Sequence, residues 1–309
     1  MSKKKVLTIT MNPSLDVGSE AEDVITDEKT RCEEPVYDPG GGGINVARVL
    51  TRLGVEADAL LIAGGHTGNK LIEMLEEESI RIHTIRSRQD TRQNIAIIDN
   101  SAGKQYRFVF PGRVPDESVW IKVLDQIRQS ISAYDYVVAS GSLPEGVPDD
   151  LYSRIGKVAT DAGKKFVIDT YGEALMKGIR SGAYFIKPNK EEFEDLKELF
   201  GVSTDKDLLD KMFKSGIEQV VQTFGKEKTV LHTPERSYEF IPPTIKPRST
   251  IGAGDSFVGG MIAGLVNGLS RDKAVCYGIS AAASTLLSEG TDLCDKDEVE
   301  RIYLENYGE

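Results

Sequence analysis

The feature that most constrains the fold is an alternation of short β-branched strands with amphipathic helical stretches, in which strand after strand closes on polar residues. Strands are predicted at 5–11, 57–63, 80–85, 134–140, 165–169 and 184–186, and helices at 68–78, 117–132, 148–162 and 172–180. Nearly continuous apolar strands separated by helices call for a mainly parallel sheet covered on both faces, because each parallel crossover needs a helix and each helix needs a face to bury. In such a sheet ligands gather at the carboxyl ends of the strands. Those ends carry Asp16, just beyond Asn12-Pro13, then Ser140, Asp169 and the run Lys187-Pro188-Asn189-Lys190-Glu191-Glu192. Asp16 at such a place either meets a ligand or closes an Asx-turn.

Between 90 and 111 the alternation breaks into a hairpin, with 93–98 and 105–110 flanking a turn at 99–104. With the polar, acidic stretch before residue 38 it forms a small β-sheet inserted at the mouth, a lid made of about 16–38 and 90–112. Later strands are predicted at 216–224 and 228–233, followed by helices at 254–269 and 272–288 and a polar C-terminus. No internal repeat, low-complexity segment or linker divides the chain, so 1–309 reads as one domain.

The stretch Ser249-Thr250-Ile251-Gly252-Ala253-Gly254-Asp255-Ser256-Phe257 carries the chemistry. Small residues at a helix start let a ligand approach the backbone, and the unpaired N–H groups of the first turn point at any negative charge that arrives. Asp255 beside them is a poor phosphate holder, since like charges repel, but it suits taking a proton from a hydroxyl that attacks a phosphate. A plain helix cap is the bland alternative.

A second glycine run, 40–43, opens another helix and leads to Asn45. Glycine costs roughly 1 kcal/mol per residue in a helix relative to alanine, so four in succession imply backbone access for a small polar ligand. The run matches neither the dinucleotide fingerprint nor a Walker A loop, which also sets aside a nucleotide-dependent oxidoreductase. The net charge of −11 argues against a nucleic-acid surface. An anionic ligand must therefore find local cations, and Arg92 at the start of the hairpin is one. The absence of an apolar run of 18 residues argues against a membrane span, and the absence of a signal-peptide pattern together with three unpatterned cysteines, Cys32, Cys276 and Cys294, leads us to expect the cytoplasm. His66, His83 and His232 form no ligand pattern.

Four separated motifs resemble one family, the PfkB or ribokinase-type carbohydrate kinases: the glycine run through Asn45, Gly141-Ser142, Lys187-x-Asn189-x-x-Glu192, and Gly252-Ala253-Gly254-Asp255. Longer runs, Pro39-Gly40-Gly41-Gly42-Gly43-Ile44-Asn45-Val46-Ala47-Arg48, Thr91-Arg92-Gln93-Asn94 and Ser140-Gly141-Ser142-Leu143-Pro144, look like its 6-phosphofructokinase branch. The resemblance implies a three-layer αβα ribokinase-like domain with a β lid that forms a homodimer interface. It implies ATP with Mg²⁺ as the phosphoryl donor, Asp255 as general base and Gly252, Ala253 and Gly254 as the anion hole. Asn189 and Glu192 would organise Mg²⁺ through water, Lys187 would lie near the ATP phosphates, and Thr223 and Gly225 would border the nucleotide. On the sugar side Asp16, Gly40, Gly41 and Asn45 would meet the ring, while Arg92, Ser140, Lys29 and Arg31, the last two from a lid, would hold the sugar's own phosphate.

The implied reaction is phosphorylation of fructose 6-phosphate to fructose 1,6-bisphosphate. Relatives acting on fructose 1-phosphate or tagatose 6-phosphate tend to carry lysine at the position of Gly42, so these are the alternatives within the class. A non-catalytic sugar-phosphate sensor is the alternative outside it. The family also suggests a K⁺ site completed by Glu289-Gly290-Thr291-Asp292 with the backbone near Ser249–Ile251, and Asp292 departs from it by placing an acid where a basic residue is usual.

Overall fold

The computed structural model describes residues 4–288 and 290–308, so Glu289 lies outside the described residues. In chain order the strands are β1 (Val6–Thr10), β2 (Ser14–Ala21), β3 (Val36–Gly40), β4 (Ala57–Ala63), β5 (Arg81–Arg86), β6 (Arg92–Asp99), β7 (Lys104–Val109), β8 (Tyr136–Ser140), β9 (Lys165–Asp169), β10 (Phe185–Ile186), β11 (Val220–Thr223), β12 (Thr229–His232) and β13 (Ser237–Phe240). The helices are α1 (Gly42–Arg52), α2 (Gly65–Glu77), α3 (Glu117–Ser130), α4 (Leu151–Asp161), α5 (Gly172–Ile179), α6 (Lys190–Phe200), α7 (Asp205–Lys214), α8 (Ala253–Val266), α9 (Arg271–Leu287) and α10 (Lys296–Tyr307).

Nine strands form the central sheet in the order β13-β12-β11-β10-β9-β8-β1-β4-β5. It is parallel from β11 through β5, and the β12 and β13 edge is antiparallel. The period-two alternation of β1 and β8 builds both cores at once. Val6, Tyr136 and Val138 face a core shared with α1, α8 and α9. Leu7, Ile9, Val137 and Ala139 face the opposite core, shared with α3, α4 and α5. The result is the expected three-layer α/β/α arrangement. The chain runs from β1 outward to β4 and β5 on one side and to β8 on the other, so the strand order reverses at β1 and β8. That crevice is where a sheet of this kind binds ligands.

The second sheet has the order β3-β2-β6-β7. Its β2 and β6 run parallel, with Ser14 opposite Arg92 and Asp16 opposite Asn94, and Gly40 of β3 faces Ser14 from the other side. Pro39 is tolerated because β3 is an edge strand. This sheet matches the expected insertion and leaves apolar side chains in solvent, with Val36 63%, Phe108 52% and Val109 65% exposed.

Three helices differ from the sequence expectation. α6, α7 and α10 each bury only two residues, Phe193 and Leu196, Leu208 and Met212, and Val299 and Ile302, so their apolar periodicity is thin. Their caps define them instead: Asn189, Thr204 and Asp295 each accept a hydrogen bond from a backbone amide of the first turn. The C-terminus is accordingly helical rather than irregular. The helix expected at 68–78 starts earlier, at Gly65.

Candidate active site

α8 begins where Gly252 takes a left-handed conformation, φ 74°, which turns the chain into the helix and which L side chains rarely adopt. A side chain there would also strike Leu293, whose Cδ2 lies 2.6 Å from the Cβ position. The N–H groups of the first turn have no carbonyl four residues back, so the amides from Gly252 through Gly254 are available to meet an anion. Asp255 is fixed beside them by Asn45 of α1, whose Nδ2 donates to Oδ2 at 2.8 Å. The two glycine-rich helix starts thus converge on one carboxylate. Helix-terminal charge alone would favour ionisation, but the balance goes the other way: burial, then Asp169, pushes the Asp255 carboxyl up to about 7 against the Asn45 hydrogen bond and Lys187.

Asp169, which the sequence marks only as the acid closing β9, joins this cluster. Lys187 Nζ lies 3.4 Å from its Oδ1, with both side chains largely buried. Burial opposes the charge of Lys187, yet Asp169, Glu192 and Asp255 hold its pKa above the ordinary lysine value. Ser140 Oγ donates to Asp169 Oδ2 at 3.5 Å, which the pairing of Ser140 with Asp169 across β8 and β9 brings about. Asn189 and Glu192 form a reciprocal capping box: Glu192 N donates to Asn189 Oδ1 at 2.9 Å and Asn189 N to Glu192 Oε2 at 2.8 Å. One oxygen of each side chain therefore holds the start of α6, and burial raises the Glu192 pKa.

From this cluster a cavity of about 470 Å³ opens between the β11–β12 turn and helices α8 and α9. Its lining includes Lys187, Thr223, Gly225, Ala253 and Gly254 together with the apolar Phe257, Ile279 and Leu286. A mainly apolar cavity that reaches a lysine and a helix start suits a flat heterocycle joined to an anion.

Next to Gly40, whose Cβ position would lie 2.5 Å from Asp16, the second sheet presents a polar ladder. Asn94 Nδ2 donates to Asp16 Oδ1 at 2.7 Å and to Ser14 Oγ at 3.0 Å, and Ser14 Oγ donates to the same Asp16 oxygen at 2.7 Å. Arg92 donates to Asn94 Oδ1 and to the carbonyl oxygens of Phe110 and Asn12. Among the described residues its buried Nε has no hydrogen-bond partner. Burial lowers the Arg92 pKa, against Asp16 and Tyr171. Gly40 and Gly41 carry the chain past Asp16 to α1. At Gly42 a Cβ would lie 2.3 Å from Ser140 Oγ and 2.9 Å from Gly141 N. The glycine run therefore serves close packing against the end of β8 as well as ligand access, and a long side chain at 42 requires a different β8 end.

Two expected residues are not brought in. Lys29 and Arg31 lie exposed in the connection between β2 and β3, and among the described residues neither makes a hydrogen bond or ion pair. Asp292, the departure noted above, is engaged: its Oδ1 accepts from Arg52 and from Leu293 N, and Arg52 also donates to the Leu293 carbonyl.

A buried carboxylate held by an amide side chain, beside the unpaired amides of a helix start and near a lysine, suits a phosphotransferase that acts on a hydroxyl. Residues 8–298 match the model of the pfkB family carbohydrate kinase, and the chain belongs to that family. It is 34% identical over 303 residues to the ATP-dependent 6-phosphofructokinase isozyme 2 of Escherichia coli, covering 97% of this chain and 98% of the relative. It is 31% identical over 289 residues to the 1-phosphofructokinase of Bacillus subtilis, covering 92% of this chain and 93% of that one. The crystal structure of phosphofructokinase-2 from Escherichia coli in complex with fructose-6-phosphate superposes with a TM-score of 0.87 at 32% identity, covering 99% of both chains.

Proposed function

We propose that the protein is a glycolytic 6-phosphofructokinase that transfers the terminal phosphoryl group of ATP to fructose 6-phosphate. The observation that carries the proposal is Asp255, held by Asn45 beside the α8 amides, where Ala253 and Gly254 line the apolar cavity and the glycine run leading to Asn45 packs at Gly40 against Asp16. In this reading the 1-hydroxyl of the sugar gives its proton to Asp255 as its oxygen bonds to phosphorus, and the bond from phosphorus to the ADP oxygen breaks. The amides of Gly252, Ala253 and Gly254 receive the charge on the transferring oxygens. A loose transition state asks little of the base until late, so a carboxylate with a pKa near 7 is sufficient. Lys187 would lie at the ATP phosphates and Thr223 and Gly225 at the nucleotide, while Asp16, Gly40, Gly41 and Asn45 hold the ring and Arg92 with Ser140 its phosphate.

The donor set fits Mg²⁺. Among the described residues no cluster of three or more potential ligands cages a metal, whereas Glu192, Asp169 and Asn189 offer the oxygen atoms that order a hydrated ion on a nucleotide. Bound there, Mg²⁺ would neutralise charge on the phosphate oxygens. The 6-phosphofructokinase reading draws support from the relative named above and from the absence of lysine at Gly42. The 1-phosphofructokinase relative keeps fructose 1-phosphate as the second reading. ADP release with fructose 6-phosphate, fructose 1-phosphate, tagatose 6-phosphate and fructose decides between them by kcat/KM; no turnover of any would favour a sensor. Among the described residues no helix is long and apolar enough to cross a membrane, and we place the reaction in the cytoplasm.

We assign the exposed apolar surface of the second sheet to a second copy of the chain, making it a lid shared by a homodimer. Apolar side chains clustered on one sheet of an acidic protein are an interface in want of a partner. This would also give Lys29 and Arg31 a role, at the phosphate pocket of the partner. Phe108→Asp is expected to convert a dimer to monomers in light scattering and to weaken the phosphosugar; a monomeric parent protein refutes the assignment. For K⁺, the loop of Thr291 and Asp292 beside Ser249–Ile251 is the expected site. Equal activity in NaCl and KCl removes it.

A further inference from the structure

Tyr171 is a large ring with no task inside the protomer. It is 60% exposed, and its hydroxyl has no hydrogen-bond partner among the described residues. It occupies the N-cap of α5 in extended backbone, φ −136° and ψ 171°, yet makes no side-chain cap. Cap positions favour Ser, Thr, Asn and Asp, so a tyrosine there does not serve the helix. Its place is two residues beyond Asp169, at the carboxyl end of β9, beside the β8 end that carries Ser140 and Gly141. Tyr152 donates its hydroxyl to the Gly141 carbonyl at 3.0 Å, and Gly141 N donates to the Asp169 carbonyl at 2.9 Å, which ties the ends of β8 and β9 together. The next residue, Ser142, accepts at Oγ from Asn12 Nδ2 at 3.0 Å, and the Asn12 carbonyl accepts from Arg92. Tyr171, just after β9, and Arg92, on the second sheet, thus both neighbour the β8 end, and Tyr171 is near enough to favour the charge of Arg92. Among the described residues the buried Arg92 Nε has no hydrogen-bond partner.

We infer that Tyr171 is a specificity-determining substrate-binding residue, its O–H donating to the phosphate of the phosphosugar that Arg92 holds while its ring walls the sugar from solvent. The inference rests on the proposed phosphosugar kinase reading. A tyrosine combines rigid apolar area with a polar tip, which suits a ligand that is a ring at one end and an anion at the other. The hydrogen bond would be charge-assisted and sequestered by the ring.

The test compares the parent protein with Tyr171→Phe and Tyr171→Ala, reading the Kd for fructose 6-phosphate and for unphosphorylated fructose by calorimetry without ATP, together with KM for ATP. Tyr171→Phe is expected to weaken fructose 6-phosphate about 10–150-fold, as loss of one hydrogen bond to a charged group does. Fructose and ATP should be unaffected, and Tyr171→Ala should weaken fructose 6-phosphate further. An unchanged Kd in Tyr171→Phe, or an equal loss for fructose and its phosphate, overturns the inference. So does a parent protein that fails to bind fructose 6-phosphate. Binding without turnover refutes the kinase reading alone and leaves the Tyr171 comparison to be scored.

Discussion

Asp255→Asn is expected to lower kcat by about 10²–10⁴-fold while KM for both substrates changes little, as loss of a positioned base does. Asparagine keeps the volume and an oxygen that can accept the Asn45 hydrogen bond, so the fold and both pockets stay in place. What disappears is the proton acceptor and its charge. The pH profile makes the assignment sharper. Because burial and Asp169 push this carboxyl up to about 7, kcat/KM of the parent protein should rise through neutrality and level off above it. The residual activity of Asp255→Asn should lack that limb. A kcat near the parent value, or a variant that keeps the same limb, takes Asp255 out of the role.

The same substitution should stabilise the fold. A carboxyl whose pKa is raised on folding binds protons more tightly in the native state than in the unfolded chain, where it titrates near 3.9. Its contribution to folding therefore worsens as pH rises from about 4 to about 7 and is constant above. Removing the charge should raise Tm by about 2–6 °C at pH 8 and by almost nothing at pH 4. A site that gains stability while losing catalysis is one whose strain serves function.

Much of this could be read from residues alone because alternation is a strong signal where both faces of a strand are buried. Every residue of β1, β4 and β8 is buried, and their flanking helices have apolar stripes wide enough to find. α6, α7 and α10 escape that test since two buried residues each make no stripe. Their signal was the cap, and Asn189-x-x-Glu192 is a capping box in plain sight that the family motif overshadowed. Asp169 was visible as the acid closing a strand, but its meaning depends on Lys187 and Asp255, which arrive from elsewhere in the chain. Lys29 and Arg31 were legible only by resemblance, and a lone protomer gives them nothing to hold. Tyr171 offered no pattern, since a single exposed aromatic acquires significance only from the strand end beneath it.

Arg92→Ala is expected to raise KM for the phosphosugar on the order of 10²-fold, as loss of two charge-assisted hydrogen bonds would, and to leave KM for ATP unchanged. Part of the loss will be indirect. Arg92 donates to Asn94, which donates in turn to Asp16 and Ser14, so removing the guanidinium also loosens the group proposed to hold the ring hydroxyls. Arg92→Lys separates the two contributions: the charge stays, while the planar fork that is proposed to bind phosphate and that bridges Asn94, Phe110 and Asn12 is lost. If the charge dominates, lysine recovers most of the affinity; if the fork dominates, it resembles alanine. Unphosphorylated fructose supplies the control, because a sugar with no phosphate has little to lose at Arg92 beyond the Asp16 contribution. A rise in KM for ATP instead would mean that the anion site at the second sheet serves the nucleotide, and the two pockets would have to exchange substrates.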